Sequence, residues 1–222
     1  MKFRELFEKY ILSFFRPMNV NEEIAGLNPE INISQLPGPF SYSVALGRYT
    51  VEKFHEKTDM GLLIHMMKYR QNTEAARKLT KILIDFIREY PFPQNPNLVI
   101  TIPDTMTNRQ NSPVKYLAEA IGKEFNWLVR HDIFSNIKVG LPQKTRTFDE
   151  RIEDIHKRYR LNCPQLVQGK HILLFDDIFA TGQSMIEAAQ HIWDHHPHTV
   201  MAMTLVKLGS KFKIYGDESE HN

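Results

Sequence analysis

Apolar and polar residues are arranged along this chain in two patterns. A short unbroken apolar run, typical of a strand buried on both faces, occurs at 172–175, and mostly apolar stretches at 98–102, 127–130 and 200–206 are further strand candidates. Between them, apolar residues recur at spacings of three and four, as in helices with one buried face. Strands and helices therefore alternate from about Leu98 onwards. This order predicts an α/β fold, an open, mostly parallel sheet flanked by helices.

The helical patterns have ordinary start and stop signals. A short pattern covers 60–69, and a longer one begins after Thr73 and must stop before the prolines that follow position 90. Ser112 followed by Pro113 predicts the start of a further helix. Earlier in the chain, alternating apolar residues over 42–51 predict a β-hairpin or a bulged strand.

The ends of the chain differ from its centre. Residues 1–16 form one apolar helical face, which must be covered by the parent domain, a partner protein or a membrane surface. An extended connector follows, and the last residues are polar. The expected division is an amino-terminal helix and connector that form a small hood over 1–40, a main domain over 41–210 and a polar tail over 211–222.

Composition excludes several classes of protein. Hydrophobic residues make up 42% and charged residues 24% of the 222 residues, as in ordinary globular proteins. A net charge of +2 gives no support for a nucleic-acid partner. The single Cys163 excludes an intrachain disulfide and fits a reducing compartment, so a cytoplasmic location is expected. No apolar run is long enough for a membrane span.

One predicted buried strand is followed by an unusual pair of carboxylates. The run at 172–175 is followed by two adjacent carboxylates, Asp176 and Asp177, and then by a loop of small and polar residues at 180–184. A helical pattern begins directly after the loop. Because ligands of open α/β sheets bind beyond the carboxyl ends of the strands, this stretch is a candidate binding site.

The residue types in this stretch suit a phosphorylated sugar. Backbone N–H groups at the amino terminus of a helix, helped by the helix dipole, bind a phosphate dianion. Carboxylates only accept hydrogen bonds, so they suit two neighbouring sugar hydroxyls, with or without a bridging Mg²⁺. A solvated pair of aspartates before an ordinary capped helix is the alternative interpretation.

The stretch resembles the phosphoribosyl pyrophosphate (PRPP) motif of type I phosphoribosyltransferases. That motif has two acidic residues, a hydrophobic, a variable and a small or hydroxyl residue, and then Thr, Gly, any residue and Ser or Thr. Ala180 stands where the family often has Thr. The resemblance implies a catalytic role for the two aspartates, and it implies ribose and 5-phosphate contacts from Asp176, Asp177, Ala180, Thr181, Gly182, Gln183 and Ser184.

A second strand also ends in polar chemistry. The loop that begins at Pro103, Asp104 and Thr105 resembles the pyrophosphate loop of amidophosphoribosyltransferases. By this resemblance, Pro103, Asp104 and Thr105 contact pyrophosphate, while Arg109 and Lys68 add positive charge. A simple turn with an Asx-type cap is the alternative structural interpretation.

Cations are dense between 130 and 160, where type I enzymes carry a flexible loop that closes over PRPP. The resemblance implies a catalytic role for Lys144 and Arg146, because fixed cations stabilise the charge that develops on leaving pyrophosphate. A solvated charged hairpin is the alternative. Within this segment, a capping box at 147–150 predicts a short helix that turns Tyr159 inward.

Further short elements are similar to the ComF-like branch of the family. These are the Lys-Tyr-Arg sequence at 68–70, Gln143 followed eight residues later by Arg151, and the basic and aromatic run at 158–160. Asp154 stands where that branch has Asn, and the amino-terminal cysteine zinc module is missing. These departures bear on the acceptor and on any role linked to DNA.

Two functions follow from the resemblance. The first is a Mg²⁺-dependent phosphoribosyltransferase that transfers ribose 5-phosphate from PRPP to a nitrogenous acceptor and releases pyrophosphate. The second is a non-catalytic PRPP or nucleotide sensor, or a ComF-like DNA-uptake protein that retains the fold. The acceptor and the choice between monomer and homodimer stay open.

Overall fold

The computed structural model describes residues 24–51, 56–103, 112–137 and 158–208. The predicted amino-terminal helix and the polar tail lie outside these ranges. So do five predicted site residues: Asp104, Thr105, Arg109, Lys144 and Arg146.

The described chain forms a five-stranded parallel sheet and a small two-stranded antiparallel sheet. The strands are β1 (Tyr42–Arg48), β2 (Leu98–Thr101), β3 (Leu128–Arg130), β4 (Phe134–Asn136), β5 (Tyr159–Leu161), β6 (His171–Phe179) and β7 (Thr199–Lys207). The large sheet has the order β1-β7-β6-β2-β3 with every neighbouring pair parallel, and β4 pairs with β5. The predicted open, mostly parallel sheet is therefore confirmed.

Helices cover both faces of the large sheet. They are α1 (Asp59–Arg70), α2 (Thr73–Glu89), α3 (Pro113–Phe125) and α4 (Gln183–Trp193). Buried residues of α1, α2 and α3 share one apolar cluster, whereas those of α4 pack with β4 and β5 in a second cluster. The two clusters bury opposite faces of the central strands, because successive strand residues point to opposite sides.

The start predicted at Ser112 and Pro113 agrees with the structure, and two other helices begin at caps that were not predicted. Thr58 caps α1 by accepting the N–H of Gly61 at 3.0 Å, and Asn72 caps α2 by accepting the N–H of Ala75 at 2.9 Å. Ser112 occupies the cap position of α3 with Pro113 next to it, but its side chain makes no capping hydrogen bond. The two side-chain caps fix the starts of α1 and α2, and Pro113 marks the start of α3.

Three local expectations need correction. Residues 42–48 form one strand, not a hairpin, because β1 pairs in parallel with β7. β6 does not end at Phe175 but continues through both aspartates, since Asp176 and Ile178 stay in register with β7. Tyr159 does not belong to a helix; it begins β5 opposite Asn136.

The chain reverses its direction of travel across the sheet between β2 and β6. These two strands are neighbours, but the chain leaves β2 through α3 towards β3 and leaves β6 through α4 towards β7. The connecting helices consequently lie on opposite faces, which opens a crevice at the carboxyl ends of β2 and β6. Ligands of open α/β sheets bind at this kind of position.

Candidate functional site

A cleft of about 400 Å³ occupies that crevice. Residues from β6, the end of β2 and α1 contribute most of its polar surface. The lining residues are Tyr49, Lys68, Tyr69, Ile102, Pro103, Ser112, Val114, Tyr159, Asp176, Asp177, Ile178, Ala180, Ser184 and Leu208. The structure thus brings together side chains that are widely separated in sequence.

A second, smaller hollow lies in the loop between β6 and α4. It has a volume of about 70 Å³, and residues 178–185 together with Asp176 line it. Gly182 is the cap residue of α4 with φ of 77° and has no side chain that could cap the helix, and the N–H of Gln183 donates to the Thr181 hydroxyl at a long 3.4 Å. The hollow is therefore shaped and polarised for a compact anion such as phosphate.

Asp176 lies between the two hollows. One of its oxygens accepts the backbone N–H of Asp177 at 2.8 Å. Burial raises the pKa of Asp176 well above its usual value, and the negative charge of Asp177 raises it further. This carboxyl group is a strong hydrogen-bond acceptor when ionised, and it takes up a proton more readily than an ordinary aspartate.

Asp177 has a different environment. Its side chain is only 2% exposed, and the Lys68 ammonium lies 3.1 Å from Oδ1 and 2.9 Å from Oδ2. Burial by itself would lower the pKa of Lys68, but the attraction of Asp177 outweighs it, so the pKa is raised. Lys68 consequently keeps its positive charge at neutral pH, and its contact with Asp177 joins α1 to the end of β6.

This arrangement does not fit a divalent-cation site made by the two aspartates. The Lys68 ammonium donates to Oδ1 of Asp177 at 3.1 Å and lies 2.9 Å from Oδ2, which accepts no hydrogen bond, so its positive charge would repel a divalent cation at this carboxylate. Across the described ranges, no three His, Cys, Asp or Glu side chains form a group that would hold a metal ion. Of the two aspartates, Asp176 is the one that would offer an oxygen to a cation that arrives with a ligand.

Tyr159 and Glu187 complete the site on the α4 face. Tyr159 and Ser184 both line the larger cleft, and burial raises the pKa of Tyr159. Glu187 is buried in α4, and its Oε1 accepts the backbone N–H groups of Arg158 at 2.5 Å and Tyr159 at 3.0 Å. Arg158 also donates to the side chain of Gln183 at 3.1 Å. The start of β5 is thereby fixed to the phosphate-shaped loop.

Replacing Glu187 by alanine is expected to destabilise the protein by about 1–3 kcal/mol, because two N–H groups lose their acceptor in a buried place. Ligand binding in the adjoining loop should weaken as Tyr159 shifts. Urea unfolding monitored by circular dichroism measures the first effect. Glu187→Gln keeps an oxygen for these bonds and should recover most of the stability; equal losses in the two variants would contradict the assignment.

The structure places the predicted site residues in two groups. Residues 180–184 and Asp176 surround the phosphate-shaped hollow, while Lys68 and Pro103 line the larger cleft. The sequence interpretation did not place Tyr49 or Glu187 in the site, and it expected Tyr159 only as an inward-facing residue of a short helix. Only the aromatic run at 158–160 carried a signal for them, because Glu187 reads as an ordinary polar position of α4.

Comparison with known proteins gives weak likenesses. No family model matches the chain. It is 22% identical over 183 residues to the DNA utilization protein YhgH of Salmonella typhimurium, a match that covers 78% of this chain and 75% of that protein. YhgH of Escherichia coli O157:H7 is also 22% identical, over 179 residues, with the same coverage. Within the described ranges, no helix is long and apolar enough to cross a membrane.

Two solved structures represent the structural likenesses. Glutamine PRPP amidotransferase from B. subtilis, complexed with ADP and GMP, has a TM-score of 0.45 at 13% identity, covering 64% of this chain and 30% of that chain. A hypoxanthine-guanine phosphoribosyltransferase from Bacillus anthracis has a TM-score of 0.41 at 16% identity, and the match covers 63% of this chain and 72% of that chain. The fold assignment rests on the strand order above, not on these scores.

Proposed function

We propose that this protein binds PRPP in the crevice between β2 and β6 and transfers its ribose 5-phosphate to a nitrogenous acceptor. The observation that supports this most is the meeting of three chemically different groups in one crevice. A phosphate-shaped loop, the carboxylate of Asp176 and the ammonium of Lys68 lie at the same sheet edge. PRPP carries a matching 5-phosphate, ribose hydroxyls and pyrophosphate.

Each group has a separate task in the proposed reaction. The N–H groups of the loop hold the 5-phosphate, and Asp176 accepts a hydrogen bond from a ribose hydroxyl. The bond between C1 and the pyrophosphate oxygen breaks, and pyrophosphate keeps the electron pair. Lys68 stabilises the negative charge that this leaves. The acceptor nitrogen forms the new bond to C1 and releases its proton to solvent.

The remaining predicted contacts belong to the same proposal. Pro103, Asp104, Thr105 and Arg109 would bind pyrophosphate, and Lys144 with Arg146 would add positive charge above it. Any Mg²⁺ would arrive bound to pyrophosphate, since the described aspartates form no site for it by themselves. A cytoplasmic location stays an expectation.

Calorimetric titration with PRPP, followed by an assay for pyrophosphate release, tests this function. We expect PRPP to bind in the micromolar range and to release pyrophosphate when the correct base or amine is supplied. Ribose 5-phosphate should compete for the same site. Failure of PRPP and ribose 5-phosphate to bind would reject the proposal.

A second candidate is a non-catalytic protein of DNA utilization or uptake that retains the PRPP or nucleotide site. The observation that favours it is the 22% identity to YhgH, which is named a DNA utilization protein. The same experiment separates the two candidates. Binding of PRPP without pyrophosphate release, for every base and amine tried, would favour this second function.

A further inference from the structure

The two aspartates of the motif contact different elements of the fold. Before them, Leu174 packs on the α4 side of β6 and Phe175 packs on the side of α1 to α3. Asp176 lines the hollow in the loop before α4, whereas Asp177 contacts Lys68 of α1. The carboxylates are therefore adjacent in sequence but have different surroundings.

The contacts of the two carboxylates differ accordingly. Asp176 is only partly buried and lines both the phosphate-shaped hollow and the larger cleft. Asp177 is almost fully buried, and both of its oxygens lie within 3.1 Å of the Lys68 ammonium. A ribose hydroxyl that approached Asp177 would have to compete with a charged partner that is already in place.

We propose, on the basis of the proposed function, that Asp176 alone recognises the ribose, and that Asp177 is a positioning residue that fixes the Lys68 ammonium beside the leaving pyrophosphate. The ammonium takes the place that a divalent cation would need at the carboxylate pair. Lys68 is well suited to this task because its side chain, 23% exposed, is held by α1 and still lines the cleft.

A double-mutant cycle measured with two ligands tests this division of roles. The variants are Asp176→Asn, Asp177→Asn, Lys68→Met and the double variant Lys68→Met/Asp177→Asn. Each is titrated calorimetrically with ribose 5-phosphate, which lacks pyrophosphate, and with PRPP. Should Lys68→Met alone not fold, the double variant, in which both partners of the ion pair are neutral, is compared with Asp177→Asn.

Asp176→Asn should lower the affinity for both ligands. Asp177→Asn, Lys68→Met and the double variant should each lower the affinity for PRPP by a similar factor of about tenfold or more, which corresponds to the loss of one charge-assisted contact. All three should bind ribose 5-phosphate within about twofold of the wild type, because none of them touches the ribose or the phosphate loop. The inference is overturned if Asp177→Asn weakens ribose 5-phosphate as much as Asp176→Asn does.

A ligand-free readout keeps this inference separate from the proposed function. In thermal unfolding, the double variant should be more stable than Lys68→Met. Lys68→Met leaves the buried carboxylate of Asp177 without its partner, and the double variant removes that carboxylate. Electron paramagnetic resonance should show that the wild type binds no more Mn²⁺ than Asp176→Asn/Asp177→Asn does. The roles assigned to Lys68 and Asp177 would be overturned if the stability losses of Lys68→Met and Asp177→Asn simply added up in the double variant. Mn²⁺ binding that depends on the aspartates would also overturn them. Both results can be obtained even if PRPP does not bind at all.

Discussion

Gly182→Val should lower the affinity for ribose 5-phosphate by at least about 100-fold, the loss of two or more phosphate contacts. Two physical effects combine at this position. The backbone has φ of 77°, which a β-branched residue adopts only with strain, and a Cβ atom would lie 2.1 Å from the Phe179 ring. The loop must therefore change shape, and its N–H groups no longer converge. Calorimetric titration measures the loss.

A matched glycine separates backbone strain from the clash. Gly169 also has positive φ, of 64°, but a Cβ atom there would meet only His198, at 3.8 Å. Gly169→Val should therefore reduce stability while leaving the ligand affinity unchanged, since this residue precedes β6 at the other end of the sheet. Full phosphate binding by Gly182→Val would show that the phosphate site lies elsewhere.

Asp176→Asn should have opposite effects on binding and on stability. Loss of the charged acceptor should weaken ribose 5-phosphate by about tenfold or more. The same substitution should raise the melting temperature at neutral pH by about 2–4 °C, because it removes a charge that burial and Asp177 disfavour in the folded protein. Titration and calorimetric unfolding measure the two effects.

The pH dependence of stability follows from the raised pKa of Asp176. Between the usual pKa of 3.8 and the higher value in the folded protein, the folded chain holds a proton that the unfolded chain has lost. The free energy of unfolding therefore falls as the pH rises through this window. The contribution of Asp176 to this free energy is most favourable at pH values below the window. In Asp176→Asn this fall should be smaller.

Asp132 provides a control of opposite sign. Its hydrogen bond with Arg130 lowers the pKa of this exposed carboxyl group, so its contribution to stability is lost as the pH falls. Asp132→Asn should not raise the melting temperature. If Asp176→Asn also fails to raise it at neutral pH, the carboxylate is not destabilised by its surroundings and the explanation is wrong.

Much of the fold could be predicted from local patterns. The apolar runs at 98–102 and 200–206 became β2 and β7, and the stripe after Thr73 became α2 with its face buried. These elements were accessible because burial on both faces removes polar residues from a strand, and burial on one face gives a helix its period. The pairing of β1 with β7 was not accessible, since it joins residues about 160 positions apart.

The candidate site also has a part that local sequence predicts and contacts that it does not predict. The loop at 180–184 could be selected as a candidate phosphate site because one continuous stretch of sequence builds it, and its phosphate binding stays a prediction. The contact between Lys68 and Asp177 spans 109 positions, and Glu187 reaches the backbone of Arg158 from a different element. No local pattern encodes either contact, because each depends on how α1 and α4 pack against the sheet.

The sequence by itself determined the order of strands and helices and the residue types of one phosphate-shaped loop, since these depend on the polarity and the backbone preferences of neighbouring residues. Only the tertiary structure decided that the adjacent aspartates have unequal surroundings. Asp176 lines the loop before α4, and the packing of α1 supplies a lysine to Asp177. Burial and charge at a point in space depend on every element that meets there.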